Sequence, residues 1–182
     1  RAIKRVFDIL FSSFVILFVL SWLYPIVAIA IKIGSKGPVL FRQARSGKDN
    51  QDFECWKFRT MKVNEDADAV QASKDDMRIT KLGAFLRKTS IDELPQFFNV
   101  LFGDMSVVGP RPHMLKHTEE YSQIIDKYMV RHFVKPGITG LAQVKGYRGE
   151  TKDPQMMRNR ILMDKLYIES WSFLLDLRII VQ

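Results

Sequence analysis

The sequence predicts an α+β fold that is mostly helical: a single small globular domain with a β-hairpin, interfacial amphipathic helices and an N-terminal re-entrant membrane helix. Three observations predict it: a long uncharged apolar run near the start, two short runs of strand-forming residues after it, and apolar residues at helical spacing in the second half. A chain of 182 residues suits one domain with a sizeable core. We therefore predict one domain over 1–182, with 1–33 embedded in the membrane and 34–182 cytosolic or interfacial.

The charge balance indicates anionic partners. Lysine and arginine outnumber aspartate and glutamate by 28 to 20, which gives a net charge of +8. The basic residues are scattered and form no tract interleaved with aromatic residues, which speaks against nucleic acid as a partner. Cys55 is the one cysteine, so a disulfide framework is excluded and a reducing compartment fits. The start at Arg1 and the apolar end at 174–182 favour a C-terminal piece of a longer protein.

The membrane segment is the run 9–31, which is 23 residues long and carries no charge. Pro25 interrupts it, because proline has no N–H to donate and its ring clashes with the preceding turn; we expect a bend at 22–25. Basic residues flank the run on both sides and so give no direction of insertion. We expect a helix that enters and leaves on one face of the membrane; a kinked single span is the alternative. The flanking cations are Arg1, Lys4, Arg5, Lys32 and Lys36.

A β-hairpin is expected directly after the membrane segment. Strand-forming residues occupy 39–43 and 53–58, and a polar Gly-Lys-Asp-Asn turn lies at 47–50 between them. The following stretch, 64–76, is polar and acidic with no apolar face. It predicts an exposed helix or a mobile loop.

The second half alternates helices with loops of defined backbone. Apolar residues at helical spacing predict an amphipathic helix over 94–102 that Gly103 ends, and then a rigid loop at 107–112 that holds Arg111 in place. Helical patterning returns over 113–134. The remaining elements are a loop at 136–140, a short strand at 141–144, and an interfacial helical region at 156–182.

Two adjacent carboxylates are the candidate for chemistry, because the common glycine-rich nucleotide loops and the hydrolase nucleophile elbow are absent. Asp92 and Glu93 open the apolar helix, where free N–H groups favour the ionised form. An ionised aspartate is able to attack phosphorus. The structural alternative is a capping box between Ser90 and Glu93.

Cations lie close to backbone-defining residues in the same part of the sequence. Lys57, Arg59, Arg87 and Arg111 each stand beside a glycine, a proline or a strand, and guanidinium groups bind phosphate oxygens bidentately. A surface salt bridge is the alternative for each one singly. His113 and His117, with Glu120 one turn on, have the spacing of a metal pair, but the favoured interpretation is a helix face or the edge of a substrate site.

Four motifs occur in the sequence in a fixed order: Phe-Arg-Thr-Met at 58–61, Asp-Glu-Leu-Pro-Gln at 92–96, Val-Val-Gly-Pro-Arg-Pro at 107–112 and Pro-Gly-Ile-Thr-Gly at 136–140. Together they resemble the monotopic phosphoglycosyl transferases, the bacterial sugar transferase family. The resemblance extends from Lys4 to nearly the last residue. Further blocks at 109–113, 135–140 and 147–150 are similar to its undecaprenyl-phosphate glucose phosphotransferase branch.

The resemblance implies an enzyme in which Asp92 attacks the sugar-linked phosphate of a UDP-sugar, releases UMP and carries the phosphosugar until undecaprenyl phosphate accepts it. UDP-glucose is the expected donor and the first membrane step of capsule or exopolysaccharide synthesis the expected role. UDP-galactose or a UDP-N-acetylated sugar is the alternative donor. A non-catalytic module that binds anionic lipid is the alternative from another class.

The resemblance also assigns residues and a location. Asp92 and Glu93 are expected to hold Mg2+, and the enzyme is expected in the bilayer of the bacterial inner membrane with its site on the cytoplasmic face; a homo-oligomer is left open. The family commonly breaks its membrane helix at Ser-Pro, whereas this chain has Tyr24-Pro25 with Ser21 a turn earlier. The implied basic motif at the membrane boundary is Lys4, Arg5 and Asp8. The implied phosphate or substrate contacts are Lys57, Arg59, Arg87, Arg111, Pro112, His113, Thr139 and Gln143.

Overall fold

The computed structural model describes residues 2–63, 76–125, 128–149 and 154–182. The exposed segment predicted at 64–76 lies outside the described residues except for Asp76, and Glu150 of the motif at 147–150 lies outside them as well. The mostly helical fold with a small hairpin is confirmed.

The apolar run forms one helix of 33 residues, Ala2–Gly34, which by length and composition is able to cross a membrane. Its irregular turn lies at 16–20 and not at the predicted 22–25, and Pro25 stays inside the helix. The irregular turn thus precedes Pro25, and the bend at 22–25 stays a prediction. The helix consists of α1 (Ala2–Val15), a π-helical turn (Ile16–Leu20) and α2 (Ser21–Gly34).

Two side chains bond carbonyls of the π-helical turn. The Ser21 hydroxyl donates to the carbonyl of Leu17 at 2.6 Å, and the Trp22 indole N–H donates to the carbonyl of Phe18 at 2.9 Å. Pro25, a turn later, cannot donate to the backbone at all. Because an unsatisfied carbonyl is costly in apolar surroundings, these bonds stabilise the two carbonyls within the irregular turn.

One face of this long helix packs against the rest of the chain along most of its length. Val15 belongs to a core cluster with Phe97, and Ile31 belongs to a second cluster with Phe58. The ring of Tyr24 also lies on Phe58, with centroids 5.4 Å apart. The opposite face presents an exposed apolar stripe that includes Ile3, Val6, Leu10, Phe14, Leu17, Phe18, Trp22, Ile26, Ile29 and Ile33.

The predicted hairpin is confirmed, with longer strands. β1 (Leu40–Ser46) and β2 (Asp52–Phe58) pair antiparallel, with Leu40 opposite Phe58 and Ser46 opposite Asp52. The connecting 3-10 turn, Lys48–Asn50, has positive φ at Asp49 and Asn50, a conformation that these two residue types tolerate. The next helix along the described chain is α3 (Lys81–Lys88).

The two loops predicted around 107–112 and 136–140 meet as a small parallel sheet. β3 (Ser106–Val108) pairs with β4 (Gly137–Thr139), so both predicted loops are partly strand. The approach is close: a Cβ on Gly137 would stand 2.1 Å from the backbone nitrogen of Gly109. Glycine at this position lets the two backbones bond each other, a tertiary contact that local patterning does not reveal.

The helices of the second half differ from prediction in detail. α4 (Gln96–Phe102) ends at Gly103 as predicted, with φ of 103° at that glycine. The strand predicted at 141–144 is wrong: α6 (Leu141–Val144) is a single helical turn whose N–H groups bond back to the carbonyl of Gly140. Each longer predicted helix is divided. The remaining elements are α5 (Leu115–Ile124), a 3-10 segment (Tyr128–Phe133), α7 (Pro154–Glu169) and α8 (Phe173–Val181).

We predict that Gly83→Ala destabilises the protein by about 1–3 kcal/mol. Helix α3 rests on the end of the hairpin, and a Cβ on Gly83 would stand 1.9 Å from the carbonyl oxygen of Thr60, which is backbone and cannot rotate away. Gly34→Ala is the control, because nothing lies within 4 Å of its added Cβ. Thermal unfolding in detergent measures both, and equal midpoints for the two variants would contradict the packing.

Candidate active site

The two candidate carboxylates lie in a 3-10 turn, Ile91–Glu93, between α3 and α4. Ser90 begins the turn with a φ of 58°, in the left-handed region. Its side chain makes no capping bond to the turn; the hydroxyl accepts a hydrogen bond of 2.7 Å from Arg148 instead. The capping-box alternative is therefore not observed, and both Asp92 and Glu93 are buried.

Glu93 is held by three cations. Its carboxylate accepts from Lys57 at 2.9 Å and from Arg111 at 2.5 and 3.2 Å, and Arg148 lies 3.9 Å away. Burial alone would raise the pKa of Glu93, but Arg111 and Lys57 outweigh it and hold that pKa well below the ordinary value. In return, Glu93 raises the pKa of Arg111. Glu93 is thus a permanently ionised partner for the cations around it.

Asp92 lines a cavity of about 490 Å3 and has a different environment. Among the described residues its carboxylate accepts no hydrogen bond and forms no ion pair. Burial raises the pKa of Asp92, and the nearby charge of Lys57 opposes that rise. Two neighbouring carboxylates therefore have opposite pKa shifts, and the one that faces the cavity is the one without a partner.

The other charged residues of this cavity wall are cations. Lys57, Arg59, Arg87 and Arg111, the four cations predicted to bind phosphate, all line it, as do Pro112 and His113. Asp92 is the one acidic residue among the described residues that line it. A wall of this charge suits a ligand that carries several phosphate oxygens. The cations of the wall that sequence reasoning did not select are Arg45, Lys62, Arg148 and Arg160.

Arg59 reaches the cavity wall but donates elsewhere. Its guanidinium donates to the carbonyl of Pro38 at 2.6 Å, to that of Ser35 at 2.9 Å and to that of Lys36 at 3.0 Å. It also donates to the Ser35 hydroxyl at 2.9 Å. These contacts fasten the segment that follows the membrane helix. Its phosphate-binding role stays a prediction, and the geometry assigns this residue a structural task.

His113 is buried and is held neutral. Its Nδ1 lies 2.6 Å from the Tyr128 hydroxyl and also contacts Arg131. Because a guanidinium only donates, Nδ1 accepts, and Nε2 carries the proton. Burial and the charge of Arg131 hold the pKa of His113 well below its usual range. Among the described residues, no group of three or more His, Cys, Asp or Glu is arranged to bind a metal.

Thr139 and Gln143 lie apart from the cationic cavity. They line a second cavity of about 500 Å3, whose other walls are largely apolar. Arg148 lines both cavities. The motif at 136–140 thus supports a different part of the site from the motifs at 92–96 and 107–112.

The basic motif at the membrane boundary is structural. Lys4 forms an ion pair of 2.6 Å with Asp176 of α8. Arg5 donates to the last carbonyls of α4, at 2.6 and 2.8 Å. Asp8 accepts from Ser106 and from the backbone of Val107, both at 3.0 Å. The start of the long helix is therefore bound to α8, to α4 and to β3.

A family model described as bacterial sugar transferase matches residues 1–182, so this chain belongs to the bacterial sugar transferase family. Two similar proteins are named UDP-glucose:undecaprenyl-phosphate glucose-1-phosphate transferase. The one from Klebsiella pneumoniae is 58% identical over 178 residues, which are 97% of this chain and 38% of that protein. The one from Escherichia coli (strain K12) is 50% identical over 181 residues, 99% of this chain and 39% of that protein.

A third relative carries another sugar in its name. It is the UDP-N-acetylgalactosamine-undecaprenyl-phosphate N-acetylgalactosaminephosphotransferase of Aeromonas hydrophila, 44% identical over 180 residues, 98% of this chain and 42% of that protein. The chain thus spans about two fifths of the length of these three relatives.

We predict that Glu93→Gln costs roughly 3 kcal/mol in the free energy of unfolding. The variant leaves Lys57 and Arg111 as largely buried cations without a counter-charge. Glu169→Gln removes the carboxylate of the exposed pair with Lys165 and should cost less than about 1 kcal/mol. Chemical denaturation of both variants at neutral pH gives the comparison, and a small effect at Glu93 would argue against the ion-pair cluster.

Proposed function

We propose that this chain transfers a sugar 1-phosphate from a nucleotide-activated sugar to undecaprenyl phosphate and releases UMP, with glucose 1-phosphate from UDP-glucose as the group transferred. The observation that carries the proposal is the buried carboxylate of Asp92, which has no partner among the described residues and lines a cavity whose other charged residues are all cations. The printed names of the relatives from Klebsiella and Escherichia support the donor and the acceptor.

In the first step, an ionised oxygen of Asp92 attacks the phosphorus that bears the sugar. A bond forms between this oxygen and phosphorus, and the bond from that phosphorus to the bridging oxygen breaks, so UMP leaves with the electron pair. Lys57, Arg87 and Arg111 line the same cavity and are suited to stabilise the charge on the phosphate oxygens. The product is a phosphosugar bound covalently to the carboxylate.

In the second step, an oxygen of undecaprenyl phosphate attacks the same phosphorus and Asp92 leaves as a free carboxylate. The transferred group ends as a sugar joined to the lipid by a diphosphate. Glu93 holds Lys57 and Arg111 in position throughout, because both of its oxygens accept from them. Its place is therefore that of a positioning residue, which orients two phosphate-binding cations.

The donor set fits Mg2+ only in part. Asp92 offers a carboxylate without another partner, whereas both oxygens of Glu93 are taken. Mg2+ is usually bound by one or two carboxylates together with substrate phosphates and water, which one free carboxylate suits. The ion would neutralise charge on the diphosphate. Asp92 is the residue we propose to hold it, and the ligand role of Glu93 remains a prediction that the ion pairs disfavour.

We also propose a re-entrant arrangement at the cytoplasmic face of the bacterial inner membrane. The start of the long helix is tied to α4 through Arg5, and the segment after its end is tied to β2 by Arg59. Both ends and one face of this 33-residue helix thus contact the same domain, which suits a helix that enters and leaves on one face of the membrane. The exposed apolar stripe then lies in lipid while the cationic cavity stays at headgroup depth.

The sugar is the part of the proposal with a specific competitor. The Aeromonas relative is named for N-acetylgalactosamine, so a UDP-N-acetylated sugar is the second candidate donor. A panel of UDP-sugars offered to the purified enzyme separates the two. If the enzyme acts only on a UDP-N-acetylated sugar, the proposed reaction stands and UDP-glucose is replaced as the donor.

We predict that Asp92→Asn abolishes UMP release from UDP-glucose in the presence of undecaprenyl phosphate and Mg2+. An amide is not an adequate nucleophile, so the loss should reach at least a thousandfold, about 4 kcal/mol in the activation barrier. Asp52→Asn, at an exposed residue of the hairpin, is the control that should keep full turnover. Measurable UMP release by the Asp92 variant would contradict the assignment, and silence of the wild-type enzyme with every UDP-sugar would favour the lipid-binding module.

We predict further that Lys57→Gln shifts the acid limb of the pH–rate profile for UMP release to higher pH. The nucleophile must be ionised, so the rate of UMP release falls as the pH drops through the pKa of Asp92. Lys57 lowers that pKa, and its removal therefore raises it. Arg42→Gln, on the same hairpin but paired with exposed Glu54, should leave the limb in place. Burst rates measured across pH test this, and a shift toward lower pH would contradict it.

A further inference from the structure

The second cavity is an apolar groove that the first step does not use. Its floor and walls come from α1, α4, β3, β4 and α8, and it measures about 500 Å3, within the usual range of ligand pockets. Arg148 is the only charged residue among the described residues that line it. Its apolar lining includes the side chains of Phe11, Phe97, Val107, Ile138 and Ile180.

We propose that this groove binds the isoprenoid chain of the polyprenyl phosphate acceptor and that Arg148 receives its phosphate. The inference rests on the proposed function and adds the place of the acceptor to it. A long hydrocarbon with one phosphate at its end needs an apolar channel with one cation at its end. A nucleoside diphosphate sugar needs several cations, and those lie in the other cavity.

Arg148 lies where the two cavities meet. It is half-exposed, donates to the Ser90 hydroxyl at 2.7 Å and lies 3.9 Å from Glu93, one residue from the nucleophile. Because Arg148 lines both cavities, its guanidinium is able to bind a phosphate that enters along the groove. That phosphate would then lie next to the proposed phosphosugar on Asp92. The second attack requires that geometry, because the acceptor oxygen must reach the same phosphorus.

The groove also lies beside the exposed apolar faces of the long helix and of α8, which we propose to contact lipid. Phe11 belongs to the long helix and Ile180 to α8. Both helices expose apolar side chains on their outer faces, among them Leu10 and Phe14 on the first and Leu174 and Val181 on the second. A chain that leaves the bilayer between these helices enters the groove without crossing water, which would be costly for a hydrocarbon.

The polar side chains of the groove fit a neutral acceptor path. Thr139 and Gln143 line it, and neither side chain carries a charge. The amide of Gln143 donates to the carbonyl of Ile138 at 3.2 Å. The motif at 136–140, which is predicted to contact substrate, therefore belongs to the proposed binding site of the acceptor and not to that of the UDP-sugar donor.

The two half-reactions test the proposal separately. The substitution Ile180→Trp fills the groove, and Leu174→Trp places the same side chain on the exposed face of α8 as a matched control. UMP release without acceptor, as a burst of one equivalent per enzyme, reports the first step and shows that each variant is folded. Steady-state rates at varied undecaprenyl phosphate in mixed micelles report the second.

We expect Ile180→Trp to keep the burst and the KM for the UDP-sugar while its KM for undecaprenyl phosphate rises at least tenfold. Each CH2 of the lipid that loses burial weakens binding about fourfold, so the loss of two such contacts suffices. Val144→Trp, from another wall of the groove, should give the same split, so one misfolded variant does not decide the matter. Leu174→Trp should match the wild-type enzyme in both steps.

An unchanged KM for the lipid in both groove variants, or an equal rise in Leu174→Trp, overturns the assignment of the groove. An equal rise in the two KM values also overturns it, because the groove would then serve the donor. If the wild-type enzyme itself shows no burst with any UDP-sugar, the proposed function has failed, which is a different result.

Discussion

The ion-pair cluster around Glu93 is the interaction on which the site depends. Glu93 joins the 3-10 turn Ile91–Glu93 to β2 through Lys57 and to the loop after β3 through Arg111. These segments are far apart in sequence, and the pairing brings their cations to one wall. Because Glu93 neutralises part of that charge, several cations are able to remain partly buried close together. Its neighbour Asp92 has no hydrogen bond or ion pair with the part of the chain that the structure describes, and it lines the cavity.

In the proposed arrangement, the long N-terminal helix sets the depth of the site in the membrane. Polar contacts bind its start to the domain, and apolar clusters bind it from Val15 to Ile31. A helix bound in this way leaves one apolar face exposed, and we propose that this face lies in lipid. The proposed acceptor has its phosphate at the membrane surface, so a carboxylate held at that depth would meet it without extracting the lipid.

The sequence was informative where chemistry and backbone constraints coincide in short motifs. The adjacent carboxylates Asp92 and Glu93 and the cations beside rigid neighbours are visible in the sequence. In the structure Asp92 lines one cavity together with Lys57, Arg87 and Arg111, and Glu93 forms ion pairs with Lys57 and Arg111. Arg45 and Arg160 were missed because only tertiary packing brings them to the cavity. The same reason explains the parallel pairing of β3 with β4, which no local pattern at 107–112 or 136–140 encodes.

The helix breaks were harder to predict for a related reason. Pro25 is a visible signal, yet the irregular turn forms at 16–20, with bonds from Ser21 and Trp22 to carbonyls within it. At 141–144 the apolar residues fit a strand as well as a single helical turn, and the carbonyl of Gly140 decides between them.

Detection of the proposed covalent intermediate is the most direct test of the role of Asp92 as the nucleophile. Purified enzyme incubated with UDP-glucose and Mg2+, without acceptor, is digested and analysed by peptide mass spectrometry. The account predicts a hexose phosphate adduct on the peptide that carries Asp92, which disappears when undecaprenyl phosphate is added. Turnover without any such adduct, or an adduct mapped to another residue, would contradict the central role of Asp92.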